Sequence, residues 1–81
     1  MSNYLYPARV ESNNEGGFIA RFRDVPEAMT EAWDLEELKN NARDALISAI
    51  DFYIEDRRAF PVGSTAKSGD IAIDLPASVV A

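Results

Sequence analysis

The chain has 81 residues, enough for a single hydrophobic core, and 47% of them are hydrophobic. Eight Lys and Arg against fourteen Asp and Glu give a net charge of −6, which disfavours phosphate ligands and suits either a basic partner or solubility alone. Cysteine and histidine are both absent, which excludes disulfides, thiolate metal sites and the commonest general base.

Two alternating runs near the N-terminus predict a β-hairpin. In the first run, residues at every second position share one apolar face: Tyr4, Tyr6, Ala8 and Val10. In the second run, the inward positions are Phe18, Ala20 and Phe22. Residues 12–17 between them are turn formers. Because Pro7 has no N–H to donate, we expect its part of the strand at a sheet edge or a bulge.

Residues 29–33 follow Pro26 and predict a third strand beside the hairpin. The clearest element comes next. Asp34 and Glu37 have capping-box spacing, and an apolar stripe then recurs at steps of three and four: Leu35, Leu38, Ala42, Ala45, Leu46, Ala49, Phe52 and Tyr53. This pattern predicts an amphipathic helix ending at about Arg58, with Arg57 and Arg58 complementing its negative end.

A polar loop after residue 60 leads to a last alternating strand, in which Ile71, Ile73 and Leu75 share a face and Pro76 ends the pattern. The predicted fold is α+β, in the order β-β-β-α-β, with a mainly antiparallel four-stranded sheet packed on one long helix. No segment resembles a signal peptide or reaches the roughly 20 apolar residues of a membrane span, so we expect a cytoplasmic protein.

Short motifs occur along this pattern in a fixed order. They are YPA at 6–8, EGGF at 15–18, FRDVPEA at 22–28, NARDAL at 41–46, DFYIED at 51–56, Pro61, and the strand from Ile71 to Pro76. Together they cover nearly the whole chain, and they resemble the N-terminal domain of the HicB antitoxins of bacterial type II toxin–antitoxin systems.

The resemblance implies a partial ribonuclease-H-like fold and a toxin partner. That partner is a HicA-type toxin, a small basic mRNA-cleaving enzyme with a catalytic histidine, which the antitoxin binds directly and whose active site it covers. The resemblance also implies a homodimer or a larger assembly.

Two features depart from the family pattern. Members often place a Gly with a small or acidic neighbour before the helix, where this chain has Ala32-Trp33. HicB antitoxins also usually continue into a C-terminal DNA-binding segment, whereas this sequence stops at residues 77–81, just after the last strand. We therefore expect residues 1–81 to be a single toxin-binding domain, either truncated or unable to bind DNA by itself.

An acidic window from residue 24 to residue 37 contains no basic residue. Such a patch speeds association with a cationic surface, although the same carboxylates could simply cap the helix and contact water, and the two interpretations are compatible. Trp33, the only tryptophan, suits an interface anchor, but its alternation with Glu31 favours the core. The candidate toxin-binding residues are Asp24, Glu27, Glu31, Trp33 and Asp34.

The sheet face opposite the helix is expected to carry Arg9, Arg21 and Arg23 with Leu5 and Ile19. This face is either an ordinary solvated surface or a self-association surface. A free sheet edge offers a second route to dimers.

A ribonuclease-H-like fold raises the alternative of a nuclease whose carboxylates hold Mg²⁺. The available carboxylates show no convincing convergent pair, and the serines have no base to activate them. We therefore predict no catalytic residue, metal or cofactor, and a protein that is not an enzyme. A metal-dependent nuclease and a stand-alone interaction or ligand-binding module remain the alternatives.

Overall fold

The computed structural model describes residues 5–75; the predictions for Tyr4 and for residues 76–81 lie outside this range. The elements are β1 (Leu5–Ser12), β2 (Phe18–Phe22), β3 (Met29–Ala32), α1 (Leu35–Glu55) and β4 (Asp70–Asp74). All strand pairs are antiparallel, and the strands lie in the order β3-β2-β1-β4. The predicted α+β fold and its β-β-β-α-β order are confirmed.

The β1–β2 hairpin is closed by its own turn residues. The Asn13 side-chain oxygen accepts hydrogen bonds from the backbone amides of Glu15 (2.8 Å) and Gly17 (3.0 Å). Asn14 and Gly16 have φ angles of 68° and 93°, a conformation that Asn and Gly adopt at low cost. These bonds set the register in which Ser12 pairs with Phe18 and Ala8 with Phe22.

The prediction that Pro7 marks a sheet edge or a bulge is wrong, because β1 lies inside the sheet between β2 and β4. The Pro7 carbonyl accepts a hydrogen bond from the Arg23 amide at 3.3 Å, one residue beyond the end of β2. The amide and carbonyl of a strand residue point to the same side. The missing N–H therefore falls where the β1–β2 ladder has already ended.

The core lies between the sheet and α1. From the helix it receives Leu38, Ala42, Leu46, Ala49, Ile50 and Tyr53, and these pack against inward residues of the strands, among them Tyr6, Ala8, Ala20, Phe22 and Ile73. The small alanines on both surfaces let the helix backbone approach the sheet closely. The predicted stripe is correct except at three positions: Leu35 and Phe52 are exposed, and Ile50, left out of the prediction, is fully buried.

The helix ends at Glu55, three residues before the predicted end, so Arg57 and Arg58 lie outside its last turn. Arg57 adopts a left-handed φ of 56°. Its amide donates to the Ile54 carbonyl at 3.1 Å, and the Arg58 amide donates to the Tyr53 carbonyl at 2.9 Å. These are the two bonds of a Schellman motif, with arginine at the position that usually holds glycine.

The loop between α1 and β4 is tied to the sheet at several points. The Tyr6 hydroxyl donates to the Pro61 carbonyl at 2.8 Å. The Ser64 amide and hydroxyl both donate to Asp24, at 2.8 and 2.9 Å. Near the start of β4, Arg23 forms a two-pronged ion pair with Asp70 at 2.7 and 3.2 Å. The loop therefore holds β4 beside β1.

Candidate functional site

The five candidate residues lie at two opposite ends of the sheet. Glu31, Trp33 and Asp34 lie where β3 leads into α1, beside the β1–β2 turn, because Ala32 pairs with Phe18. Asp24 and Glu27 belong to the β2–β3 connection at the other end, where α1 finishes. The acidic window is therefore continuous in sequence but divided in space.

The Glu27 side chain bonds to residues at the C-terminal end of the helix. Its carboxylate accepts a hydrogen bond from the Tyr53 hydroxyl at 3.1 Å and forms an ion pair with Arg58 at 3.4 Å. The Arg58 guanidinium also lies over the Tyr53 ring, 4.1 Å from its centroid. A hydrogen bond from the Glu27 backbone amide, together with those from Tyr53 and Arg58, holds the pKa of Glu27 below its ordinary value against an opposing desolvation. The Glu27 carboxylate is thus ionised and bonded to Tyr53 and Arg58 of its own chain.

Asp24 has a similar structural use. It is half-buried, and one carboxylate oxygen accepts both hydrogen bonds from Ser64. Both carboxylates at this end therefore already hold the fold together.

At the other end, Trp33 is 65% exposed, so the prediction that it belongs to the core is wrong. Ala32 is buried and Glu31 is exposed, so a period of two puts Trp33 on the outer face with Glu31. Trp33 lies in the turn that precedes the helix. A Cβ atom added at Gly17 would lie 3.3 Å from the ring atom Cε3 of Trp33 and 2.7 Å from the Ala32 carbonyl oxygen. One edge of the indole therefore rests on the hairpin backbone, while most of the ring faces solvent.

Trp33 borders a shallow depression of about 150 Å³, here called the Trp33 corner, which is lined by Asn13, Glu31, Ala32, Trp33 and Glu37. Asn13 donates from Nδ2 to Glu31 Oε2 at 3.3 Å. The Asn41 side chain donates to the Glu31 backbone carbonyl at 3.2 Å. These bonds orient Glu31 from the hairpin on one side and from the helix on the other.

Asp34 caps the helix as predicted: its side chain accepts a hydrogen bond from the Glu37 amide at 2.8 Å. The contributions of Asn13 and Asn41 were missed. Asn13 was visible only as a turn former, and its contact with Glu31, 18 positions away, depends on the pairing of three strands.

Ion pairs engage only some of the acidic residues that the structure describes. Across residues 5–75, the ion pairs join Glu11, Glu27 and Asp70 to arginines. Within that same range none includes Glu31, Asp34, Glu36 or Glu37. The carboxylates of the corner are therefore free of ion pairs with the described part of the chain.

The opposite sheet face carries Arg9, Arg21 and Arg23, as predicted, but acidic neighbours largely balance them. Arg21 lies 3.3 Å and Arg9 3.9 Å from Glu11. Arg23 is paired with Asp70, and its hydrogen bond, followed by that of the Lys67 amide, holds the pKa of Asp70 below its ordinary value. Self-association through this face stays a prediction.

Among residues 5–75, no three Asp or Glu side chains are grouped as metal ligands would be. No helix in the described part of the chain is long and apolar enough to cross a membrane.

Comparisons with known proteins agree on one family. The family model described as "HicB_like antitoxin of bacterial toxin-antitoxin system" matches residues 5–81. Antitoxin HicB 2 of Photorhabdus laumondii is 43% identical over 79 residues, which cover 98% of this chain and 55% of that relative. Antitoxin HicB of Escherichia coli strain K12 is 40% identical over 74 residues, covering 91% of this chain and 54% of its own length.

The chain thus spans about half the length of the curated relatives it matches. These relatives are named antitoxins, and that role is not an enzymatic one. The family model covers most of the chain, and the identities are near 40%. The chain therefore belongs to the HicB-like antitoxin family of bacterial toxin–antitoxin systems.

Proposed function

We propose that this chain is a toxin-binding domain that neutralises a HicA-type, mRNA-cleaving toxin by binding it directly and covering its active site. Family membership supports an antitoxin role, and the HicA-type partner follows from the resemblance of the sequence to HicB antitoxins. The net charge of −6 suits a basic partner.

The observation that carries the proposal is the exposed Trp33 ring beside unpaired carboxylates. A tryptophan side chain buries roughly 150–250 Å² when covered, and Trp33 is 65% exposed. Covering the remaining roughly 100–160 Å² corresponds to a gross hydrophobic gain of about 2.5–4 kcal/mol at 25 cal/mol per Å², from which the costs of association are subtracted. Tryptophan is also among the residues most enriched in interface hot spots. We therefore assign the toxin contact to Glu31 and Trp33, and add Glu37. Asp34 stays a candidate beside them, although one of its oxygens already caps the helix.

Asp24 and Glu27 have a weaker role in this proposal. Their carboxylates already accept hydrogen bonds from Ser64, Tyr53 and Arg58, so using them as direct contacts would compete with bonds that hold the fold. Their charge still adds to the field that attracts a basic protein.

The remaining properties of the complex are also proposals. We expect a homodimer or higher oligomer, in keeping with the free edges of β3 and β4 in the described sheet. We expect no DNA binding from this chain alone and a cytoplasmic location.

The test is a titration of the chain into its cognate toxin while RNA cleavage is followed. Stoichiometric loss of cleavage is the expected result. A toxin that keeps cleaving in the presence of excess chain would reject direct neutralisation by this domain. A control with Mg²⁺ and no toxin addresses the alternative: RNA cleavage there would indicate a metal-dependent nuclease.

A further inference from the structure

The depression at the Trp33 corner has the size and the chemistry of a receptor for one side chain. Its volume of about 150 Å³ is below the roughly 300–1,000 Å³ typical of small-molecule sites. An aromatic ring forms one wall, and the carboxylates of Glu31 and Glu37 belong to the same lining. Such walls suit a group that is both planar and positively charged.

No cation of the described residues is paired with the carboxylates of the corner. None of the five lining residues is basic, and neither carboxylate takes part in an ion pair within residues 5–75. Asn13 engages only Oε2 of Glu31, which leaves Oε1 available to a partner. Many other described carboxylates also lack an ion pair. What marks the corner is that two of them share one lining with the exposed Trp33 ring.

The corner is also held in place before any partner arrives. Gly17 supports the ring edge, Asn13 and Asn41 hold Glu31, and Asp34 fixes the first helical turn that carries Glu37. A preorganised site loses little conformational entropy when it binds. The edge of the ring and one oxygen of Glu31 are thus held by neighbouring groups, and Glu37 lies on a helical turn whose backbone is capped.

We propose that the Trp33 corner receives an arginine side chain of the toxin, whose guanidinium stacks on the Trp33 ring and donates hydrogen bonds to Glu31 and Glu37. This inference rests on the proposed function. Arginine fits better than lysine because its planar group can stack on an aromatic face and bond to carboxylates at the same time, whereas an ammonium is a compact and strongly hydrated charge.

The test compares toxin binding by the parent chain and by three variants, using calorimetry beside the RNA-cleavage assay. Trp33→Leu keeps an apolar side chain but removes the aromatic face, and Glu37→Gln removes one carboxylate. Glu55→Gln is the matched control, since it neutralises an exposed glutamate at the far end of the same helix. Far-UV circular dichroism and melting temperature verify that each variant is folded, which is expected because all three side chains are exposed.

We expect Trp33→Leu and Glu37→Gln each to raise the Kd by about tenfold, with Glu55→Gln within twofold of the parent. The toxin arginines are then replaced by lysine one at a time. One such replacement should weaken binding to the parent chain and add nothing to the loss caused by Trp33→Leu.

Each other outcome has a definite meaning. If the parent neutralises the toxin and all three variants bind the toxin as tightly as the parent does, the corner is not the contact. The inference then fails while the proposed function stands. If Trp33→Leu weakens binding but no toxin arginine is coupled to it, the occupant is apolar or a lysine, and the arginine assignment is wrong. If the parent neither binds nor inhibits the toxin, the proposed function itself fails.

Discussion

Replacing Gly17 with alanine tests whether the hairpin backbone determines the position of Trp33. The added Cβ would lie 2.7 Å from the Ala32 carbonyl oxygen, 2.8 Å from Asn13 Nδ2 and 3.3 Å from Trp33 Cε3. The first neighbour is backbone in a paired strand, so β3 and the ring must shift. Overpacking of this kind costs about 1–3 kcal/mol, and the lower backbone entropy of alanine offsets about 0.4–1 kcal/mol of it.

The net loss of about 1–2 kcal/mol should lower the Tm by roughly 4–15 °C in a domain of this size. Because Trp33 is the only tryptophan, its fluorescence reports the displacement of the ring directly, and the emission of Gly17→Ala should differ from that of the parent. Gly16→Ala is the control: Gly16 has a φ of 93° and no neighbour within 4 Å, so that variant should lose stability through backbone strain alone and keep the parent emission. A Gly17→Ala protein with the Tm and emission of the parent would refute the argument.

Four further predictions concern the helix ends, the acid response and the association rate. Asp34→Ala removes the oxygen that accepts the Glu37 amide and should cost about 1 kcal/mol; an unchanged Tm would remove Asp34 from the capping role. Arg57→Gly relieves a side chain held at a φ of 56° and should stabilise the fold by about 0.5–1 kcal/mol in urea denaturation; a destabilised variant would contradict the Schellman assignment. Glu27 and Asp70 have a lower pKa in the folded than in the unfolded chain. Their contribution to the free energy of unfolding is therefore fully present above the ordinary pKa values of 4.5 and 3.8, and it is lost as pH falls through the folded pKa. Arg23→Gln removes the main cause of the Asp70 shift, and the free energy of unfolding of this variant should fall less between neutral pH and about pH 3; an equal fall in both proteins would contradict the pairing. Glu31→Lys should slow association with the toxin and weaken its salt dependence, as measured by stopped flow; an unchanged association rate would reject electrostatic steering at the Trp33 corner.

The features that the sequence alone determined are those decided within a few neighbouring residues. Alternation at a period of two and a stripe at a period near 3.6 are set by the geometry of strand and helix, and they predicted the described elements in their observed order. The N-cap at Asp34 was equally local, since its hydrogen bond spans three residues. The order of the elements and the short motifs also sufficed to predict the family.

Several predictions were wrong near the ends of elements. Trp33 was expected in the core, but a period of two puts it on the outer face with exposed Glu31, opposite buried Ala32. The stripe that included Leu35 and Phe52 describes an isolated helix, whereas burial depends on which part of the helix the sheet covers. Pro7 was predicted at an edge because a missing donor is costly inside a sheet. In the structure, β2 ends at Phe22, opposite Ala8, so no residue of β2 lies where a Pro7 N–H would have donated.

The candidate site depended mainly on contacts between distant parts of the chain. Six carboxylates close together in sequence became two groups because the β2–β3 connection and the start of α1 lie at opposite ends of the sheet. Whether each carboxylate is internally bonded or available to a partner was decided by residues up to 40 positions away, such as Ser64 for Asp24 and Asn13 for Glu31. Strand register and loop closure create those neighbours. Composition alone determined the acidity of this protein, and only the tertiary structure decided where that acidity remains unpaired.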